Sequence, residues 1–566
     1  MRDCILSSEV KNAILSVCVR VAQPNCVVAA ALYGPHICGY ADEKSPFNVL
    51  LIIHSPRLSL KFHHEPFNES TISFLIIDKK TFERDVEGEW FGGILAENIL
   101  TPYEPLVNGD YLWNQEVKVK KRTVYETLSN MVLEFPEMSH DLLIKPEHFL
   151  FESMTRKAAL FPPVTYRFLN VLRSSLSKRN LEHMLNGYKV AVESAVEEGN
   201  LFFSHGEYVT VTKEYIDAAQ KKRLRITNFF KDVRTGILRT VLTILPEIMN
   251  SLNEDFRLYA ARFAEKENLS ENPIFKLEDS KKYVFIPTSL GLVSLSDKIT
   301  IQDFVRKYAQ ESRELVDMRK LGGVLNTVYM LKFRKGANEQ NIVVKVFKDW
   351  YGWKWFPLAL WSLGTRGFVV LGKSRLEREY AINRFLQSQG IHVPEIIYVS
   401  VDERLIFQEY VDGKNLAQIL KQICASLDKG NDYAELLKKI GGEIAKIHEL
   451  NIALGDCKPE NVIITSDEKI YFVDLEQAER NGDQAWDLAE FLYYSGHYAS
   501  LAPINAAKMI TKNFVDGYLE AGGETENIRK IGSPRYVKVF SFFTPPHLIL
   551  TISATCREIL KSKIAS

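Results

Sequence analysis

Asp456, Lys458, Asn461 and Asp474 all fall within one stretch, HELNIALGDCKPENVIITSDEKIYFVDLEQAERNGDQAWD, that runs from His448 to Asp487. Asn461 and Asp474 offer hard oxygen atoms, which is what a magnesium ion takes from one or two protein groups while substrate phosphates supply the rest. Asp456, outside that pair, is placed to orient and deprotonate an acceptor hydroxyl. Lys458, two residues on, can neutralise a migrating phosphoryl group. The chemistry such a set performs is phosphoryl transfer.

These side chains need elements to hold them. Leu436, Ile440, Ile444 and Ile447 recur at helical spacing, so an amphipathic helix should run to the Glu449-Leu450-Asn451 turn and leave Asp456 on the loop beyond. Val462 to Thr465 and Ile470 to Val473 read as short strands around Ser466-Asp467-Glu468-Lys469, which is good turn chemistry for a β-hairpin. That hairpin returns Asp474 to the side of Asn461. A lone DxKxxN is a weak signal, because any surface loop can hold those residue types. The second Asp across a hairpin and the partners upstream make it specific.

Upstream, the turn Leu321 to Tyr329 carries Gly322 and Gly323, which would let backbone amides approach an anion closely. Ile342 to Phe347 reads as a strand with Lys345 at its centre. A lysine between Val344 and Val346 costs free energy when buried unless an anion or carboxylate pairs with it.

The loop GDCKPEN resembles the catalytic loop of protein kinases, whose pattern is HRDxKxxN, and Asp474 matches the metal-binding Asp of that family's DFG. Leu454 and Gly455 replace the His and Arg of the pattern, and Asp474-Leu475-Glu476 replaces DFG. Arg-dependent control by a phosphorylated activation loop is therefore not expected. The resemblance implies ATP with Mg2+, or Mn2+ in its place, and puts Lys345 on the α- and β-phosphates. It also implies Glu379 as the ion-pair partner of Lys345, with Glu377 as the alternative, and adenine contacts from backbone atoms of Glu409 to Val411. Asp487 resembles the Asp that anchors the catalytic loop from the next helix. It follows Asp474 by only thirteen residues, so no long activation segment fits. The compact lobe, about Asp317 to Tyr498, resembles the RIO kinases and the small kinase of the KEOPS tRNA-modification complex; the tail from Ala499 reads as helices.

Lys+Arg and Asp+Glu both number 71 in 566 residues, so no overall charge steers the chain to nucleic acid or an anionic membrane. Seven scattered cysteines without CxxC spacing fit a reducing, cytoplasmic setting. No signal peptide or membrane-spanning run is expected. The length calls for several domains, and we expect an α+β multidomain chain. Residues 1–110 form a small α/β domain, 111–270 a mainly helical one, 271–312 a linker and hairpin, and 313–566 a bilobal kinase-like domain.

In the first domain, strands at Val27 to Leu32, Val49 to Ile53 and Ile72 to Ile77 follow the order strand, glycine turn, strand, strand. This resembles the nucleotidyltransferase fold, with Gly34-Pro35 where that family has its GS turn. Pro46 and Asn48 stand at its two metal-binding Asp positions, so two-metal chemistry is not expected. Asp42 and Asp78 are candidate remnants, and a generic α/β domain is the alternative. In the middle, Phe161-Pro162-Pro163 and Asn186-Gly187 read as helix breaks, and Phe202 to Thr212 as a hairpin around His205-Gly206. The basic runs Lys118–Arg122 and Lys221–Arg225 are either RNA contacts or solvated helix faces. A Trp-rich insertion holding Trp350, Trp353, Trp355 and Trp361 either covers an adjacent helix or meets a membrane or partner.

The functional expectation is an atypical serine/threonine protein kinase acting on a protein substrate or on itself. Its rivals are a small-molecule kinase and an ATPase or scaffold in ribosome assembly or tRNA modification.

Overall fold

Aliphatic runs without a polar break build the first sheet: Cys26–Tyr33, Phe47–His54 and Ser70–Asp78 are strands whose inner residues are almost wholly buried. The computed structural model describes residues 6–56, 60–90, 93, 95–160, 162–204, 206–226, 250, 253–262, 276–309, 314–322, 327–336, 338–349, 369–425, 433–498 and 504–565. Its chain separates into two units, 1–285 and 286–566, and the boundary falls inside the stretch read as linker and hairpin.

In the first unit the strand order is Leu60–Phe67, Ser70–Asp78, Phe47–His54, Cys26–Tyr33, Tyr103–Val107. Phe47–His54 and Ser70–Asp78 are parallel and the other neighbours antiparallel. Helix Ser8–Ala22 covers one face through Ile14, Cys18 and Ala22. Phe82 and Val86, with Leu112 and Val119 of helix Gly109–Glu134, cover the other. The candidate remnants are structural. Asp78 caps helix Lys79–Gly88 by accepting from the Thr81 amide at 3.1 Å. Asp42 accepts from Ser45 Oγ at 2.8 Å and pairs with Arg257 at 2.9 Å.

Asn186-Gly187 is not a break: helix Ser177–Glu197 runs through it. The glycine is there because two helices approach closely. A Cβ at 187 would lie 2.7 Å from Lys120 Cδ and 3.0 Å from Glu116 Oε1. That contact also corrects the reading of Lys118–Arg122 as a phosphate-binding run. Lys120 is fully buried, pairs with Glu116 and donates to the Met184 carbonyl at 2.7 Å. Lys121 pairs with Glu198, and Arg122 with Glu89 at 2.9 Å. Of the five, only Lys118 and the edges of Lys121 face water as a free basic surface would. Helix Lys213–Ile226 carries the second basic run, but the side chains from Lys222 to Arg225 lie outside the described residues. So do Phe161, His205, Gly323 and the Trp-rich insertion, along with residues 271–275 of the expected linker.

In the second unit five antiparallel strands pair in the order Glu314–Gly322, Thr327–Lys335, Asn338–Val346, Leu405–Glu409, Ile396–Ser400. Leu331, Phe333, Ile342, Val344 and Phe407 bury one face against Phe304 and Tyr308 of helix Ile301–Ala309. The lower part is helical. Ala434–Glu449, Gln484–Tyr498, Ile504–Glu520 and Pro546–Ala565 surround a core that includes Ile440, Ile444, Phe491 and Phe514. No described helix is long and apolar enough to cross a membrane.

Candidate active site

The central strand Asn338–Val346 alternates its side chains, with Val344 facing the core and Lys345 the opposite side. Lys345 is 5% exposed, and its ammonium lies 2.7 Å from Glu379 and 3.0 Å from Asp474. Burial works against its charge, but the Asp474 and Glu379 carboxylates outweigh burial and hold it above the ordinary lysine range. Glu379 comes from helix Gly372–Ser388 and is itself raised by burial, with Lys345 opposing the rise.

The Asp456 loop hangs from helix Gln484–Tyr498. Asp487, wholly buried, accepts from the amides of Leu454 at 2.6 Å and Gly455 at 2.7 Å, and lies 3.1 Å from His448 Nε2. One turn on, Glu490 accepts the Cys457 amide at 2.8 Å. Gly455 takes φ +77°, a left-handed turn that side chains resist, which accounts for glycine where the kinase pattern has Arg.

Asp456 then meets Lys458 at 3.0 Å and Asn461 Nδ2 at 3.0 Å. Burial raises its carboxyl and Asp474 adds to the rise, while Lys458 and Asn461 oppose it. Lys458 is held above the usual lysine range: burial opposes its charge, and Asp456 and Glu490 more than offset that.

Strands Val462–Ile464 and Ile470–Phe472 form the hairpin, and the Val473 amide donates to the Asn461 carbonyl at 2.9 Å, which sets Asp474 beside Asn461. Asp474 has φ +65°, a conformation that bends the chain so that its carboxylate turns toward Lys345. Burial alone would raise that carboxyl, but Lys345, then Lys458 and Arg375, carry it below the ordinary range.

Asn461 commits its amide nitrogen to the Asp456 carbonyl and carboxylate, which leaves Oδ1 as its free donor atom. Asp474 commits Oδ1 to Lys345, and its side chain stays 34% exposed. Two hard oxygens with an ammonium alongside are a donor set that fits a magnesium nucleotide. Among the described residues no cluster of three or more His, Cys, Asp or Glu could hold a metal alone, and phosphate oxygens with water are what complete such a shell around one or two protein oxygens.

Gly322 closes strand Glu314–Gly322 and pairs with Val328. The Glu409 amide is already taken by the Glu395 carbonyl at 2.9 Å. Adenine contacts from this segment would therefore come from the Glu409 carbonyl and from Val411, which is 8% exposed.

Sequence reasoning missed Arg375. Wholly buried, it reaches Glu476 at 3.1 Å from one turn before Glu379, so a single helix grips both Lys345 and the segment after Asp474. The Glu standing where the kinase pattern has Gly was the available signal, since a buried carboxylate needs a cation.

Residues 333–495 match the Lipopolysaccharide kinase (Kdo/WaaP) family. The KEOPS complex subunit Bud32 of Pyrococcus abyssi is 30% identical over 111 residues, 20% of this chain and 48% of that protein. The 3-deoxy-D-manno-octulosonic acid kinase of Vibrio vulnificus strain CMCP6 is 27% identical over 161 residues, 28% of this chain and 60% of that protein. A probable bifunctional tRNA threonylcarbamoyladenosine biosynthesis protein of Methanobrevibacter smithii is 28% identical over 156 residues, 27% of this chain and 26% of that protein. The chain thus spans about half the length of the first relatives it matches. The match and these relatives, all confined to part of the chain, support a likeness of residues 333–495 to an atypical kinase-like family.

Proposed function

We propose that this protein transfers the γ-phosphoryl group of ATP to a hydroxyl, and that Lys345, bridged between Glu379 and Asp474, is the observation that carries the reading. In a nucleotide complex Lys345 turns to the α- and β-phosphates while Glu379 fixes its position. Asn461 and Asp474 would hold Mg2+, which when bound would neutralise phosphate charge. Asp456 accepts the proton of the acceptor hydroxyl as its oxygen bonds to phosphorus, and the bond from phosphorus to the β-phosphate oxygen breaks to leave ADP. Lys458, at 3.0 Å from Asp456, faces the charge that moves with the phosphoryl group.

The acceptor is either a serine or threonine hydroxyl, on a protein or on this chain itself, or the hydroxyl of a compact small molecule. The second reading is favoured by the segment after Asp474: Leu475 to Ala478 are buried and Glu479–Arg480 pairs with Ile452–Ala453, so little surface is offered to an extended peptide. The relative from Vibrio vulnificus, named as a sugar-acid kinase, supports it too. The relatives named as KEOPS subunits support assembly with partner proteins.

In the first unit, Gly34, Pro35, Pro46 and Asn48 line a cavity of about 330 Å³ whose acidic residues are already engaged, Glu254 by Arg257 and Asp255 by Arg167. This supports a nucleotidyltransferase-like domain that has lost catalysis.

The test is transfer of radiolabel from ATP to small hydroxyl compounds, to casein and to the chain itself. Asp456→Asn should lower transfer by about 10²- to 10⁴-fold, the usual contribution of a general base, and leave nucleotide affinity near wild type. Transfer that persists in this variant refutes the assignment.

A further inference from the structure

In the sheet of the first unit, one row of side chains is polar where its neighbours are apolar. Tyr33 stands opposite Asn48, Asn48 opposite Ser73, and Ser73 opposite His64, so the four share one face of adjacent strands. Two residues along each strand, the same face carries Ala31, Leu50, Leu75 and Phe62, which belong to the apolar core. The polar row lines the cavity of about 330 Å³ that Pro35 and Pro46 also border. Gly34, at φ +82°, keeps the row open: a Cβ there would lie 2.7 Å from Asn48 Nδ2.

The charges of this cavity are closed among themselves, and its neutral groups are not. Asp255 accepts from Arg167 Nε at 2.7 Å on one oxygen and from the Tyr40 hydroxyl at 3.0 Å on the other. Arg257 spans Glu254 at 2.7 Å and Asp42 at 2.9 Å. Glu254 and Asp255 are the carboxylates of the lining, so nothing is left over to hold a divalent cation for a triphosphate. Ser73 is bonded to His64 Nδ1 at 3.0 Å. Among the described residues, however, no group pairs with the Tyr33 hydroxyl, the Asn48 amide or the Thr71 hydroxyl. Tyr33 is 8% exposed, and a tyrosine so placed ordinarily finds a hydrogen-bond partner. Burial, opposed by Arg167 and reinforced by Asp255 and Glu97, pushes its pKa up to about 12, so it stays a donor.

We propose that this cavity binds an uncharged planar heterocycle, a free nucleobase or its nucleoside, through Tyr33, Asn48 and Thr71. A carboxamide offers a donor and an acceptor side by side, which is the pattern that pairs with the edge of a base. The two hydroxyls serve the remaining ring nitrogens and oxygens. Phe62, half-buried, and the two prolines supply apolar surface for the faces of the ring. The volume lies at the small end of ligand sites, which suits a ligand of this size. Phosphates are disfavoured, because both arginines near the cavity are already neutralised. The site lies in the first unit, goes beyond the phosphotransferase reading and does not depend on it.

The experiment uses the full chain with Mg2+ and a saturating non-hydrolysable ATP analogue, which fills the nucleotide site of the second unit. Adenine, guanine, cytosine, uracil and their nucleosides are then titrated in by calorimetry, and hydrogen exchange is followed over residues 33–48. At least one of these compounds should bind and protect that stretch. Tyr33→Phe and Asn48→Ala should each weaken its affinity by about 10-fold, as loss of a hydrogen bond to a buried ligand does. Tyr33→Phe should leave the urea midpoint unchanged, since the hydroxyl has no partner in the protein to lose. Thr71→Val keeps the branched shape and gives a third reading if Asn48→Ala fails to fold. Absence of binding by the whole panel overturns the proposal, and so does an affinity that none of the three variants changes. A second equivalent of the ATP analogue, bound with Mg2+ and lost in Tyr33→Phe, also overturns it and makes the cavity a nucleotide site. An analogue that fails to bind at all counts against the phosphotransferase reading and leaves this proposal to the titrations.

Discussion

Asp487 acts on the chemistry without touching it. Both of its oxygens are used, one on the Leu454 amide and His448, the other on the Gly455 amide, and together they set the path of the chain into Asp456. Asp487→Asn keeps the shape and loses one acceptor, which leaves a buried amide unpaired at a cost of about 1–3 kcal/mol. We expect kcat to fall by about 10²-fold because Asp456 shifts, with nucleotide affinity held within a few-fold. Steady-state kinetics beside a binding titration checks this, and a loss confined to ATP affinity would contradict it. Arg375 and Glu476 work at the same scale. Their ion pair explains why the residue two after Asp474 is a carboxylate, and it ties that segment to the helix that holds Glu379.

Among the described elements, helices Ala434–Glu449 and Ile504–Glu520 cross closely. A methyl group on Gly517 would fall on the Lys438 carbonyl, and one on Gly441 on the Phe514 carbonyl, so both backbones need the absence of a side chain. Gly517→Ala should destabilise the second unit by about 1–3 kcal/mol or more, as overpacking does, although alanine is the better helix former. Urea unfolding reports the outcome.

In the first unit, His148 of helix Pro146–Leu160 donates from Nδ1 to the Ser280 carbonyl at 2.9 Å, near Glu152, Lys281 and Asp279. Burial lowers its pKa, with the Ser280 carbonyl and Glu152 opposing. The unfolded chain then binds a proton near the ordinary value of about 6.5 while the folded chain stays neutral, so stability falls as pH drops below that value. The slope is at most about 1.4 kcal/mol per pH unit. Hydrogen exchange along 146–160, corrected for intrinsic rate, should show less protection at pH 5 than at pH 7, and His148→Gln should remove the difference.

For the whole molecule, the division into two units carries a thermodynamic consequence. Every residue assigned to nucleotide and acceptor belongs to 286–566. Nucleotide with Mg2+ at about 100 times Kd should therefore stabilise that unit by about 2.7 kcal/mol. Calorimetry should show a transition that moves with nucleotide, and Lys345→Met should abolish the movement.

The hairpin that returns Asp474 to Asn461, the strand around Lys345 and the helices of the tail were legible in the sequence, because period-2 and helical patterning and turn residues are local properties. Strand Leu60–Phe67 was not. It is an edge strand with one partner, and its mixed burial and Pro66 hide the alternation. Partner choice lies beyond local pattern altogether. The same basic letters at Lys120 to Arg122 read either as an RNA contact or as a solvated helix face until the fold brought Glu116, Glu198 and Glu89 against them. By itself the sequence singled out the residues to which we assign the chemistry, since residue type and spacing survive without a fold. Only the tertiary structure decided what each charge faces, because those contacts join residues distant along the chain, and their energy depends on burial that no local window records.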